Sequence, residues 1–173
     1  MRSTGAIVMS AFAALWGFLA LHLSGQVVWM QAVPIAVSGV LILAALATGR
    51  HAVPPAPEER RRIGRAVMLW SAVEGVVIFG GVNVLRNTGH TDWTTAFIAV
   101  VVGLHFFPLA RSLRVPLYWL TGLGLIGVAA AGLVLVPSGV AQDAAIGLGC
   151  AVVLWLTAFV VTAFTPRTTV AAA

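Results

Sequence analysis

A carboxylate in the middle of an apolar run is the residue of this sequence hardest to explain as simple packing. Glu74 stands eight residues into the run Ala66–Leu85, with Ser71 one helical turn before it and Gly75 beside it. A charged side chain at the centre of a membrane helix costs about 2.5 to 3.5 kcal/mol on insertion scales, so such groups face a bundle interior or a watery cavity. Glu74 therefore needs a proton or a partner. His105 fits as that partner. Counted from the basic ends of their runs at 1.5 Å per residue, Glu74 is about 12 Å deep and His105 about 8 Å deep. The two runs are consecutive and joined by a short turn. A carboxyl group and an imidazole held together share a proton, because imidazole changes charge near neutrality. Ser71 supplies a polar step from Glu74 toward the basic end. The competing assignment is structural: a neutral, hydrogen-bonded Glu74 and a His105 bonded to a backbone carbonyl, both tying helices together.

A second polar group gathers at the other end of the same helices and comprises His22, Asn83, Arg86, Asn87, His90 and Asp92. It reads either as solvated turns or as an outer vestibule, with Asn83 one turn inside it. His90-x-Asp92 offers two metal ligands, fewer than the three or four of a zinc site, so no metal is assigned. Cys150 is the one cysteine, which excludes an internal disulfide and a cysteine metal cluster. Gly122-x-Gly124-x-x-Gly127 spells a dinucleotide fingerprint but lies inside an apolar run instead of at a strand-to-helix turn. Its glycines, with Ala129, Ala130, Ala131 and Gly132, read as a surface on which another helix packs closely. No nucleophile elbow, H-E-x-x-H pair or P-loop is present, so neither an enzyme nor a cofactor is expected.

The elements that must position these residues follow from composition. Of 173 residues, 60% are apolar and 9% charged, with a mean hydropathy of +1.02. A soluble surface needs roughly a quarter of its residues charged, so lipid is the implied solvent. Six apolar runs are each long enough to cross a hydrocarbon core of about 30 Å as helix. They are Gly5–Ser24, Val27–Thr48, Ala66–Leu85, Trp93–Ala110, Pro116–Val136 and Gln142–Phe164. A barrel strand would alternate with a period of two, and none does. The expected fold is an all-α integral membrane protein, a single domain of six transmembrane helices. The first run is longer than a signal-peptide core and no A-x-A site follows it, so it is expected to be retained.

All ten basic residues are arginines, and nine of them fall at one set of run ends: Arg2, Arg50, Arg60, Arg61, Arg62, Arg65, Arg111, Arg114 and Arg167. Arg86 alone is opposite. That bias places both termini in the cytoplasm, in the layout of a bacterial inner-membrane protein, and it argues against nucleic acid as the partner of the basic residues. Trp29 and Trp93 fall near the outer interface, and Trp70, Tyr118 and Trp119 near the inner one. In the longest loop Pro54 and Pro55 stiffen the chain. Pro57 suits a helix first turn with Glu58 and Glu59 at its positive end, so the third helix is expected to begin before the membrane. Arg60, Arg61, Arg62 and Arg65 attract anionic lipid headgroups by about 1 kcal/mol each.

A faint repeat runs through the chain. Gly39 to Arg50 and Gly103 to Arg114 close the second and fourth runs with one spacing, and Ser24-Gly25, Thr88-Gly89 and Ser138-Gly139 mark the opposite turns. Three tandem helical hairpins would account for it. Glycine-rich faces also allow a homo-oligomer. Two functions of different class fit these residues. One is a small-solute or ion transporter, or a channel-like protein, using a protonatable Glu74 and His105. The other is a non-transporting accessory or stress-related membrane protein in which the same pair only fixes packing.

Overall fold

The structure, a computed structural model, describes residues 2–49 and 56–164. Arg50, Pro54, Pro55 and Arg167 lie outside the described residues. Six α-helices are present: α1 Arg2–Leu23, α2 Val28–Gly49, α3 Pro57–Asn87, α4 Thr94–Leu113, α5 Leu117–Leu135 and α6 Val140–Ala163. A single 3-10 turn, Thr91–Trp93, leads into α4, and the described residues contain no strand. All six helices are long and apolar enough to cross a membrane. α3 is the longest, at 31 residues, and begins at Pro57 with Glu58 and Glu59 in its first turn. Proline is favoured there because its missing N–H would have had no helical acceptor, and carboxylates suit the positive end of the helix dipole.

Two of the turns share one design. After α1, Gly25 has φ +69° and the N–H of Gln26 reaches the carbonyl of Leu21. After α3, Gly89 has φ +77° and the N–H of His90 reaches the carbonyl of Leu85. Both are Schellman closures, which require a left-handed residue just past the helix. The preceding hydroxyls bond back into the last turn: Ser24 donates to the Ala20 carbonyl and Thr88 to that of Val84, at 2.8 and 2.9 Å. Ser138-Gly139 does not repeat the design, because Gly139 immediately precedes α6 instead of closing α5. The hairpins are also not separate units. Besides the pairs α1–α2, α3–α4 and α5–α6, α1 packs extensively on α6 and α4 on α5.

Neighbours therefore run in the order α2, α1, α6, α5, α4, α3, with α6 also meeting α2 and α4. α6 carries the centre of the core through Ile146, Cys150, Leu154 and Ala158, all fully or nearly fully buried. α3 is at the opposite extreme: among the described elements it touches only α4 and the 3-10 turn, and none of its residues is buried. Small residues set the crossings. A Cβ on Gly122 would come within 2.6 Å of the Gly103 carbonyl oxygen, and one on Gly103 within 2.8 Å of the Gly122 oxygen, so α4 and α5 meet backbone to backbone. Gly124 and Gly132 face Val153 and Ile146 of α6. The small-residue surface expected of this run is thus used on two sides.

Three polar ties reinforce the apolar contacts. Trp155 Nε1 donates to Ser38 Oγ across α6 and α2 at 2.8 Å, and Thr121 and Thr157 hydroxyls bond across α5 and α6 at 2.9 Å. Gln142 donates to the Gly132 and Val136 carbonyls at the end of α5. Among the described residues no buried side-chain nitrogen or oxygen lacks a partner. Tyr118 is at the end of its helix, and its side chain turns into the core, edge-on to Phe106 with its hydroxyl against Gly5. Its position one residue into α5 turns it inward, toward α4 and α1. Trp29 and Trp93 remain well exposed.

Candidate functional site: the seam between α3 and α4

Glu74 is near the middle of α3, about 25 Å from Pro57 and about 20 Å from Asn87 at the helical rise. Its side chain points to α4, where His105 Nδ1 is 3.6 Å from Glu74 Oε2. The expected partnership is therefore formed, as a close contact longer than a hydrogen bond. The same nitrogen donates to the Trp70 carbonyl oxygen at 3.2 Å. A backbone oxygen only accepts, so Nδ1 carries the hydrogen and Nε2 is the ring position left to gain or lose a proton. Trp70 precedes Glu74 by four residues, one turn of α3. Its carbonyl and the Glu74 carboxyl thus present two adjacent acceptors to one imidazole.

The chemistry open to this arrangement is coupled protonation: the Nδ1–H faces the carboxyl group, and Nε2 and Glu74 gain or lose protons while each feels the other's charge. With one proton between them the pair is either two neutral groups or an imidazolium beside a carboxylate, and its net charge is zero in both. The His105 side chain is 10% exposed and that of Glu74 20%, so the pair is neither sealed in a core nor open to bulk solvent. Farther along the seam the Phe97 ring lies against Gly81, where no Cβ would fit. Among the described residues α4 is the one helix that holds α3. Ser71, one turn from Glu74, is exposed, and the contact itself is made by Glu74, His105 and the Trp70 carbonyl. The contributing residue in that turn is Trp70. Sequence reading missed it because its backbone, not its side chain, does the binding.

The polar residues at the other end do not form one cluster. His22 Nδ1 donates to Gln31 Oε1 at 3.3 Å across the α1–α2 turn, and its ring stacks on Phe18. α1 and α3 make no contact, so His22 is apart from Asn83, Arg86, His90 and Asp92. Asn83 is exposed on the side of α3 away from α4 and donates to its own Phe79 carbonyl at 2.7 Å. His90 bonds Thr88 within its turn, at 3.2 Å, and Arg86 and Asp92 are exposed. Asn83, Arg86, His90 and Asp92 stay together on the end of α3 and the turn that follows it, and all four are exposed. Among the described residues no three histidine, cysteine or acidic side chains come together as a metal site. The chain matches no protein-family model, no curated protein and no solved structure, so its function has to be read from its own residues.

Proposed function

We propose that this chain is an integral protein of the bacterial inner membrane, with both termini in the cytoplasm, in which the α3–α4 seam moves a proton or a small cation. Glu74 is the binding carboxyl group and His105 its proton partner. The observation that carries this reading is the 3.6 Å approach of the two side chains, half-way along a helix whose only helical neighbour is α4. A helix with no buried residue shifts at low cost, so the pair has room to form and separate. Support for the membrane comes from the surface. Large apolar side chains such as Val28, Leu43, Val76, Phe79 and Val134 are 67% to 82% exposed around the bundle, far more than a soluble monomer tolerates. Support for the orientation comes from the arginines gathered at the α3 start and the α4 end.

A second reading has its own observation. The His105 bond to the Trp70 carbonyl, at 3.2 Å, is shorter than its approach to Glu74, as in a packing tie with no transport role. Flux separates the two. The full chain is reconstituted in liposomes carrying imposed proton, sodium or potassium gradients, read with trapped indicator dyes. Wild-type protein is expected to dissipate at least one gradient faster than empty vesicles, and Glu74→Gln to return that rate to the empty-vesicle baseline. Equal rates for wild type and Glu74→Gln, or no flux above empty vesicles, would leave the packing tie as the function of the pair.

A further inference from the structure

α3 turns its unpartnered side outward, and that side has two chemically distinct parts. At 100° per residue, Arg61, Arg62 and Arg65 fall within about 100° of one another on the face opposite Glu74, and Leu69, Val76 and Phe79 continue the same stripe. The three arginines, with Glu58, Ala66 and Leu69, line a shallow open recess. Below it Leu69, Val76 and Phe79 are 57%, 72% and 74% exposed. Arg60 is on another side of the helix, turned toward the α4 seam.

We infer that this face binds an anionic phospholipid, its phosphate among Arg61, Arg62 and Arg65 and an acyl chain along Leu69, Val76 and Phe79. The inference rests on the membrane reading above and not on the Glu74–His105 pair. Charge complementarity decides the occupant. Three guanidinium groups against the single Glu58 carboxylate leave the recess positive, and guanidinium groups bind phosphate oxygens in paired hydrogen bonds. A second copy of the chain meeting this face about a two-fold axis normal to the membrane would set the arginines against themselves. Free phosphate would satisfy the recess and leave the apolar stripe uncovered. An anionic lipid meets both parts at once.

The test uses the full chain. Carbonate extraction of membranes first places it in the pellet. Recovery in the soluble fraction would overturn this proposal together with the membrane reading. Thermal melting is then followed in mild detergent with added phosphatidylglycerol, phosphatidylcholine or inorganic phosphate. Phosphatidylglycerol is expected to raise the melting temperature by several degrees, and phosphatidylcholine and phosphate by much less. In the Arg61→Gln, Arg62→Gln, Arg65→Gln triple variant the rise is largely lost, whereas Arg60→Gln retains it. For wild type alone the rise is expected to shrink with added salt, which needs no variant to fold. An equal rise with phosphatidylcholine, an equal rise with phosphate alone, a salt-independent rise, or a rise undiminished in the triple variant would each overturn the lipid site and leave the membrane reading standing.

Discussion

Gly122→Val is expected to prevent α4 and α5 from packing and to cost the protein its folded state in mild detergent. The reason is what a side chain there would meet. A Cβ at Gly122 comes within 2.6 Å of the Gly103 carbonyl oxygen and within 2.6 Å of the Phe107 ring. Phe107 has freedom to turn, but the oxygen belongs to the backbone of the facing helix and moves only if that helix moves. Extra methylenes in a packed core usually cost roughly 1 to 3 kcal/mol. Here the cost should sit at the top of that range or above, because the reciprocal contact at Gly103 is lost with it. Gly127→Val is the control on the same helix. Gly127 is exposed, no atom is within 4 Å of its Cβ position, and valine should leave melting nearly unchanged. Similar melting of the two variants would mean that α4 and α5 do not cross at these glycines.

His105→Ala should release α3. That substitution removes both the hydrogen bond to the Trp70 carbonyl and the approach to Glu74. Among the described residues α3 has no helix other than α4 to hold it. The Trp70 carbonyl is not buried and keeps the helical N–H of Glu74, so the loss is that of one net hydrogen bond, about 0.5 to 1.5 kcal/mol. Amide hydrogen exchange resolves where the loss falls: rates along α3 around Trp70 and Glu74 rise, and those of α1 and α6 do not. Glu74→Gln leaves the Trp70 bond in place and is expected to keep α3 protected. Even Glu74→Leu strands no donor, because the hydrogen on Nδ1 already has the Trp70 oxygen. Unchanged exchange along α3 in His105→Ala would show that the seam is held elsewhere, for example by Phe97 against Gly81.

The parts of this fold legible in the sequence are those encoded locally. Span lengths follow from the run of apolar residues, and the helix start at Pro57 and the closures at Gly25 and Gly89 follow from residues that each impose a backbone geometry. The Glu74–His105 approach was legible by depth alone, because consecutive helices joined by a short turn must lie side by side. What stayed hidden is lateral order. Apolar patterning does not separate α6, at the core, from α3, at the edge, because both contain stretches apolar enough to cross a membrane and lipid offers no hydrophobic contrast between them. The same lack of contrast concealed that Tyr118 faces inward and that His22 is remote from Asn83. The Trp155–Ser38 bond joins α6 and α2, spans whose adjacency only the packed structure reveals.

Whether Glu74 and His105 act as one protonation unit is decided most directly by infrared difference spectroscopy of the Glu74 carboxyl group as pH is varied. Subtracting Glu74→Gln spectra isolates its protonated-carboxyl stretch from those of Glu58, Glu59, Asp92 and Asp143. Coupled protonation predicts a band in wild type that titrates, is absent from Glu74→Gln, and changes its midpoint when His105 becomes alanine. A midpoint identical in wild type and His105→Ala would show that the two groups hold their protons independently, and the pair would then be a packing contact.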